Sequence, residues 1–453
     1  MNQAVEKLLQ ERQEEIIEGI RECIKIDSVR SEAKEDAPYG EGAKRALEYA
    51  LELGKKLGFR TKNVGNRAGW VEIGDGEEMV AVLGHLDVVP LGEGWKHPGF
   101  GAVIEDGILY GRGVLDDKGP TIGAMYGLKA IADAGVKLDR RIRVIFGTDE
   151  ECDSSCIKHY IEAGEEIPTM GFTPDGDFPL IFFEKGMSFF TIGKKNPVCG
   201  DIKVEKMEGG EASNVVTPKC MLKVKGEIKA DDKPWISVSK ENGSTILCAE
   251  GKSAHGSTPQ EGINAAIRLL QAVKENQFGG DFQNFMEFLL NEINEETDGK
   301  TLGIYVEDEE TGETTVNVGI LKYDEEEMSV TLDIRYPKNA TAEMVHEKVH
   351  AAAKKYHLDV LKYREVGMLY VPKDSELVQK LMKVYKAFTG RDDKPLAIGG
   401  GTYAKLFKNM VAFGPAFPET SDKIHQPNEC ATIDELMFCI KISTEAMIAL
   451  ATK

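Results

Sequence analysis

The feature that most restricts the fold is a pair of short, mostly apolar runs, Met79–Leu83 and Arg141–Thr148. Continuous hydrophobicity of this kind is typical of central strands that are covered on both faces. Apolar residues recur at helical spacing before the first run, and a further helix is predicted from about Pro120 to Ala134, with proline in its first turn. This alternation predicts an α/β fold with a helix-covered, mostly parallel sheet, in which ligands bind at the carboxyl ends of the strands.

The pattern changes at about residue 186 and changes back at about residue 385. Between these points, strand-like stretches such as Ser329–Arg335 and helical stretches such as Thr341–Tyr356 are sufficient for a separate α+β unit. An apolar Leu396–Ile398 and a long amphipathic helix, Ile433–Ala451, then return to the α/β pattern. We therefore predict one domain built from residues 1–185 and 385–453, with a second domain of residues 186–384 inserted into it.

Composition excludes several classes of partner. The chain has 453 residues, and its 56 lysines and arginines against 76 aspartates and glutamates give a formal net charge of −20. Nucleic acids and anionic membranes are bound through clustered basic residues, so neither is an expected partner. No apolar run approaches the roughly 20 residues needed to cross a bilayer, and the acidic N-terminal stretch does not resemble a secretory signal. Eight cysteines at no repeating spacing fit reduced thiols, and we expect a cytoplasmic protein.

Acidic residues and histidines follow several of the predicted strands. His85 and Asp87 come just after the first apolar run, and the second run leads into Glu150 and Glu151. Because the ends of parallel strands meet at one edge of a sheet, we expect these side chains to lie close together. Three further segments would deliver such groups to the same edge: GRGVLDDKGP with Asp116 and Asp117, TPDGD with Asp175 and Asp177, and IHQPNE with His425.

Clustered carboxylates repel one another and raise each other's pKa unless a cation lies among them. Three carboxylates and two imidazoles form a donor set that suits a pair of Zn²⁺ or Mn²⁺ ions. Each segment alone has an ordinary explanation, since a histidine beside an aspartate is often a surface pair and an acidic triplet is usually a solvated turn. The metal hypothesis therefore depends on their occurrence together, after strands of one α/β unit.

Eight segments, in this order along the chain, resemble the motifs of one enzyme family. They are GHLDVVP, GRGVLDDKGP, TDEEC, TPDGDFP, SAHGSTPQEGINA, LDIRYP, GGGTYAK and IHQPNE. Over essentially its whole length the chain is similar to the co-catalytic metallopeptidase family of carboxypeptidase G, ArgE, DapE and aminoacylase, and within it to the PepV and Sapep dipeptidases. The resemblance implies a catalytic α/β domain that holds two divalent metal ions and an inserted lid domain with two lobes.

The resemblance also implies a set of five metal ligands. Asp116 would bridge the two ions. His85 and Asp175 would complete one site, and Glu151 and His425 would complete the other. Zn²⁺ is the preferred ion, and Mn²⁺ or Co²⁺ is the alternative because the same ligand types accept all three.

Two further roles follow from the same resemblance. Glu150 would be the general base that takes a proton from the metal-bridging water and returns it to the leaving amine. Asp87 would hold the His85 imidazole in its ligating tautomer. Asp117 is the alternative to Asp116, and Asp177 is the alternative to Asp175.

In the inserted domain, the alternation of SVTLDIRYP puts Arg335 on the polar face of a half-buried strand. An arginine there is usually one partner of an ion pair at the rim. The resemblance instead makes Arg335 the residue that binds the substrate carboxylate, a task that suits the guanidinium geometry. It makes His255 the residue that stabilises the oxyanion, with Asn214 beside it.

The segment GGGTYAK is predicted to begin a helix with Gly399, Gly400 and Gly401 ahead of it and Thr402 as the N-cap. A flexible turn is the ordinary explanation of such a cluster. The functional interpretation is that bare backbone N–H groups and the helix N-terminus bind the substrate's C-terminal carboxylate.

The sequence therefore predicts a metal-dependent dipeptidase that hydrolyses L-amino-acid dipeptides. The alternative with the same chemistry is a deacylase or desuccinylase of N-acyl amino acids. A third hypothesis is a catalytically silent protein that binds peptides or metal without turnover. The predicted lid of about 200 residues is similar to the enlarged lid of PepV-like enzymes, in which a second lobe replaces a partner subunit, so we expect a monomer.

Overall fold

The structure is a computed structural model that describes residues 2–417 and 423–453. The chain forms two compact units within these ranges. The first comprises the described residues up to Phe183, then Leu369–Leu396, then the described residues from Gly401 onward. The second comprises Glu184–Met368 and Ala397–Gly400.

One large mixed sheet forms the centre of the first unit. The strand pairs in its middle are parallel, and antiparallel pairs lie toward both ends. This confirms the predicted α/β class, with parallel pairing confined to the middle. In spatial order the strands are Arg60–Val64, Ala68–Ile73, Arg141–Gly147, Met79–His85, Met170–Thr173, Met410–Ala412, Ile181–Glu184 and Leu369–Tyr370, with Leu396–Ile398 also paired to Ile181–Glu184.

Helices cover this sheet, and the most buried of them, Lys118–Asp133, packs against Ile433–Ala451. Two glycines allow the close approach, since a Cβ on Gly123 would lie 2.5 Å from the Ile440 side chain and one on Gly127 would lie 2.3 Å from the Thr444 hydroxyl. Thr432 begins the final helix with a reciprocal capping box. The α-helices of this unit are Gln3–Glu11, Gln13–Ile24, Glu41–Lys56, Lys118–Asp133, Ser155–Glu162, Glu376–Thr389 and Ile433–Ala451.

Two small sheets connect distant parts of the first unit. A hairpin turns at Asp106 and Gly107, because Val103–Glu105 and Ile108–Tyr110 pair antiparallel and both turn residues have positive φ. Cys430–Thr432 adds a third strand to this hairpin. A second small sheet pairs Gly176–Asp177 with Pro415–Ala416. The C-terminal segments are thereby joined to the first half of the chain.

The second unit is built on one antiparallel sheet of the described strands. Helix Ala342–Lys355 contacts one part of it, and helix Ala265–Val273 contacts another part. The remaining elements are helix Gly280–Phe288, a short 3-10 helix Pro259–Glu261, a short π-helix Leu289–Ile293 and the paired strands Glu307–Asp308 and Gly312–Glu313. In spatial order the strands are Ile236–Glu241, Ser244–Glu250, Lys219–Lys225, Val204–Gly209, Thr315–Tyr323, Glu327–Tyr336, Gly186–Lys195 and Asp359–Val366.

One boundary of the inserted domain differs from the predicted position at residue 384. The segment Leu369–Leu396 belongs to the first unit, because its helix Glu376–Thr389 packs on Ile433–Ala451 and Glu376 accepts a hydrogen bond from Arg140 at 3.0 Å. In the part of the chain that the structure describes, no helix combines the length and apolarity needed to span a membrane.

Candidate metal centre

Three neighbouring parallel strands of the first unit end at one place. His85 is the last residue of Met79–His85, and Glu150 and Glu151 come three and four residues after the end of Arg141–Gly147. Asp175 follows Met170–Thr173 in the same way. These strands are adjacent in the sheet, so the side chains that follow them converge.

Asp116 lies at the centre of the group, and its two carboxylate oxygens face different histidines. Oδ1 lies 2.9 Å from Nε2 of His85, and Oδ2 lies 2.7 Å from Nε2 of His425. Asp175 Oδ2 is 3.9 Å from the same nitrogen of His85, and Glu151 Oε1 is 3.2 Å from that of His425. The five predicted ligands therefore form two groups of three that share Asp116.

The two alternative aspartates point elsewhere. Asp117 is fully buried, and its Oδ2 accepts hydrogen bonds from the backbone N–H of His85 at 3.0 Å and the Thr121 hydroxyl at 2.9 Å. Asp177 lies in the short strand that pairs with Pro415–Ala416. Neither Asp117 nor Asp177 belongs to the groups of converging metal-ligand atoms that are found among the described residues.

The tautomer of His85 is set by a backbone group. Its Nδ1 lies 2.9 Å from the carbonyl oxygen of Asp87, which can only accept, so Nδ1 carries the proton and Nε2 is left to bind a cation. The Asp87 carboxylate is farther away, with Oδ1 at 3.7 Å from Nδ1, and its Oδ2 accepts the backbone N–H of Glu151 at 3.1 Å. The predicted residue is thus in place, but its carbonyl makes the close contact and its carboxylate holds the neighbouring turn.

Glu150 is partly buried beside the ligand group. Burial raises the pKa of its carboxyl group well above the ordinary value, and the negative charge of Asp175 adds to the effect. A carboxyl group with a raised pKa can accept a proton and release it again near neutral pH. The role of Glu150 as the general base stays a prediction.

The two histidines both face the carboxylate of Asp116. Hydrogen bonds to Asp116 and Glu151 raise the pKa of His425 to about 11. Burial lowers the pKa of His85, but the hydrogen bond to Asp116 and the negative charges of Asp116, Asp87 and Asp175 together outweigh it, so the pKa lies well above its ordinary value. Without metal, protons thus occupy the nitrogens that face the carboxylates. Divalent cations fit the same donor atoms, because two imidazole nitrogens and three carboxylates are an accepted set for Zn²⁺ or Mn²⁺.

Glu429 and Arg112 form a supporting contact that the sequence reasoning missed. Both side chains are buried, and Oε2 of Glu429 accepts from Nη1 of Arg112 at 2.9 Å. Oε1 accepts the backbone N–H groups of Gly113, Leu115 and Asp116 at 3.1, 2.9 and 3.3 Å. One carboxylate thus shapes the loop that carries Asp116, the predicted shared ligand. The available signal was that these residues lie inside the motifs GRGVLDDKGP and IHQPNE.

Asp149 organises the turn that carries Glu150 and Glu151. Its carboxylate is buried, and it accepts hydrogen bonds from the backbone N–H of Ser155 at 3.2 Å and from the Ser155 hydroxyl. Arg30 donates to its other oxygen at 2.6 Å. The acidic triplet is therefore a structured turn, in which the first residue supports the next two.

The residues predicted to bind substrate in the inserted domain lie together in the second unit. Val215 and His255 form a β-bridge, and the carbonyl oxygen of Asn214 accepts the backbone N–H of Gly256 at 2.7 Å. Arg335 Nη1 donates to the carbonyl oxygen of Gly399 at 2.8 Å.

The helix predicted after the glycine cluster is short. Tyr403–Leu406 is a 3-10 helix of 4 residues, with the Thr402 side chain accepting the backbone N–H of Ala404 at 3.2 Å. The N-cap is therefore as predicted, but a single short turn provides little of the helix dipole assumed for anion binding. Gly399 and Gly400 belong to the second unit, whereas Gly401 and Thr402 belong to the first.

Comparisons with known proteins place the chain in a family. A profile described as peptidase family M20/M25/M40 matches residues 81–449, and the chain belongs to this family. A protein of Bacillus subtilis (strain 168) named "Putative dipeptidase YtjP" is 36% identical over 100% of both chains. The predicted family and the predicted enzyme class, a hydrolase that acts on peptides, are confirmed.

Solved structures with low sequence identity share the fold. The Saccharomyces cerevisiae di-peptidase Dug1p matches 99% of this chain and 98% of its own, with a TM-score of 0.63 and 12% identity. The Bacillus subtilis YXEP protein, titled a dinuclear metal binding peptidase from the M20 family, matches 98% of this chain and 99% of its own, with a TM-score of 0.53 and 12% identity.

Proposed function

We propose that this protein is a metal-dependent dipeptidase that hydrolyses the peptide bond of L-amino-acid dipeptides. The observation that carries the proposal is the shared carboxylate of Asp116, whose two oxygens face the two imidazoles at 2.9 and 2.7 Å. The full-length relative is named as a dipeptidase, and the Dug1p structure is titled a di-peptidase. These names support a dipeptide as the substrate.

Two divalent cations would be held by His85, Asp116 and Asp175 on one side and by Asp116, Glu151 and His425 on the other. When bound, such a pair polarises a carbonyl group and lowers the pKa of a water molecule. Zn²⁺ is the ion that we propose first, with Mn²⁺ and Co²⁺ as alternatives.

The chain's own part in the reaction is to move one proton and to hold the reacting groups. Glu150 takes a proton from the attacking water and delivers it to the amine of the leaving amino acid. Asp87 fixes His85 through its carbonyl oxygen and the Glu151 turn through its carboxylate. His255 and Asn214 stabilise the oxyanion, and Arg335 binds the substrate's carboxylate. The backbone N–H groups of the segment Gly399, Gly400, Gly401 and Thr402 bind the same carboxylate.

Replacing Glu150 with Gln tests the assignment of the base. We expect turnover to fall by about 10² to 10⁴-fold with metal content unchanged, because a base is lost and no ligand is lost. The matched variant is Glu151→Gln, which removes a ligand charge and should lower metal content as well. Metal content is measured on the purified proteins by mass spectrometry. Metal loss in Glu150→Gln with metal retained in Glu151→Gln would show that the two roles are reversed.

A substrate panel tests the dipeptide specificity. The metal-loaded protein should hydrolyse dipeptides with free termini faster than N-acetyl or N-succinyl amino acids. The opposite preference would favour the deacylase hypothesis. Hydrolysis of neither class, with both ions bound, would favour a silent binding protein.

We also propose that the protein acts as a monomer in the cytoplasm, without nucleic-acid or membrane partners. The net charge of −20 and the eight cysteines, all of which lie in the described part of the chain as free thiols, support this proposal. Light scattering on the purified protein gives the oligomeric state, and a mass near twice the chain's 49.9 kDa would contradict it.

A further inference from the structure

The guanidinium group of Arg335 is held by two acceptors of the second unit. Its Nε lies 3.1 Å from Oδ1 of Asp333, and its Nη2 lies 2.7 Å from Oδ2. Nη1 donates to the carbonyl oxygen of Gly399 at 2.8 Å. An arginine has five N–H groups, so these contacts leave one on each terminal nitrogen. Two such groups are what a carboxylate needs for a bidentate contact.

Burial makes this arrangement rigid. Asp333 is fully buried and Arg335 is 3% exposed, although both are charged. They are two residues apart on strand Glu327–Tyr336 and therefore share one face of the sheet. A buried arginine without its partner is strongly disfavoured, so the ion pair fixes the plane of the guanidinium group.

Two glycines bring the surrounding backbone close to this pair. A Cβ on Gly399 would lie 2.7 Å from the Cβ of Ser257, so a side chain there would move the carbonyl that Arg335 contacts. A Cβ on Gly256 would lie 2.5 Å from Oδ2 of Asp333. The loop that carries His255 therefore passes directly over the Asp333 carboxylate.

We propose that Asp333 is a positioning residue that, together with the carbonyl oxygen of Gly399, orients the Arg335 guanidinium to bind the carboxylate of a substrate. This inference rests on the proposed function, in which Arg335 anchors that carboxylate. Asp333 does not contact the substrate and acts through Arg335. Because the charge of Asp333 is balanced by Arg335, Asp333 orients the guanidinium group and does not itself attract the substrate.

The experiment compares hydrolysis of Ala-Ala with hydrolysis of its C-terminal amide by the metal-loaded, full-length protein. The measured quantity is the ratio of kcat/KM for the two substrates. Asp333→Asn should lower this ratio by about tenfold to 100-fold, mainly through KM for Ala-Ala, because misplacement of a binding group by about 1 Å has effects of this size. Glu327→Gln, at the start of the same strand, removes an ion pair with Lys195 and should leave the ratio unchanged.

Arg335→Met separates the inference from the function on which it rests. We expect this variant to abolish the preference for the free carboxylate, and the double variant Arg335→Met/Asp333→Asn to lower the ratio no further. Gly399→Ala, which keeps the ion pair, provides a second test if Asp333→Asn does not fold, and it should also lower the ratio.

The outcomes distinguish the proposed role of Arg335 as the carboxylate anchor from the positioning role of Asp333. A ratio unaffected by Arg335→Met, or no preference in the unsubstituted protein, would overturn the carboxylate anchor and the inference with it. Loss of the preference in Arg335→Met but not in Asp333→Asn or Gly399→Ala would overturn the positioning role alone. Additive losses in the double variant would also overturn it, because Asp333 would then act independently of Arg335.

Discussion

Metal binding should release protons, because protons occupy the ligand nitrogens in the metal-free protein. The pKa of His425 is raised to about 11 and that of His85 lies well above its ordinary value, so both imidazoles are protonated at pH 7. A cation must displace these protons to reach Nε2, so binding of two ions should release at least two. The affinity for metal ions should therefore be weakest at low pH and should rise as the pH increases.

The size of the effect can be worked out from the same two groups. Each released proton strengthens apparent affinity about tenfold per pH unit while the pH stays below the raised pKa. Two protons therefore give about 100-fold per pH unit for the pair of ions taken together. The pKa of His425 lies above this range, so the tenfold contribution of its proton should continue without a plateau from pH 6.5 to 8.5.

The assay is calorimetric titration of the metal-free protein with Mn²⁺ in two buffers of different ionisation enthalpy, which gives the number of protons released. His425→Ala should release one proton fewer. The control is His350→Ala, an exposed residue on helix Ala342–Lys355 of the second unit, which should match the parent. Release of less than one proton, or an affinity that does not change over this range, would refute the coupling between these histidines and Asp116.

Three further predictions concern metal binding at the site and the stability of the second unit. Glu429→Gln should weaken metal binding by about 10 to 100-fold, because the loss of groups that orient metal ligands generally has effects of this size. The control Glu227→Gln, which removes an exposed ion pair with Lys240, should leave metal binding unchanged. Competition with a chelator measures the metal affinity of both variants. Phe285→Ala should lower the free energy of unfolding of the second unit, measured by urea denaturation, by about 3–5 kcal/mol, because Phe285 is fully buried. The control Val238→Ala, at a side chain that is 55% exposed, should change this free energy by under about 0.5 kcal/mol. Asn264→Ala removes the N-cap of helix Ala265–Val273 and should cost about 1 kcal/mol in the same assay, and no change would contradict the cap.

The strand ends could be predicted because hydrophobic runs are local. Met79–Leu83 and the acidic triplet after Arg141–Gly147 are contiguous in sequence, and parallel neighbours bring such ends together. The direction of each strand is not local, so the antiparallel pairs at the ends of the sheet could not be read from composition. The roles of the site residues stay predictions, although the structure brings His85, Asp116 and His425 within hydrogen-bond distance.

Other features depend on contacts between distant segments. Glu429 looked like an ordinary residue, and its role is visible only when it accepts three backbone N–H groups from a loop more than 300 positions earlier. The helix Glu376–Thr389 looks the same in sequence whichever unit it joins, and its packing against Ile433–Ala451 decides the matter. The glycine cluster predicted a helix start correctly but carried no information about helix length.

The order of segments along the chain has a consequence for biosynthesis. Asp175 emerges from the ribosome well before His425, and the whole second unit is made in between. Glu429, which fixes the Asp116 loop, also comes late. With the ligands proposed above, a nascent polypeptide could hold no more than one of the two cations until translation is nearly over, and hydrolysis would begin only in the completed molecule.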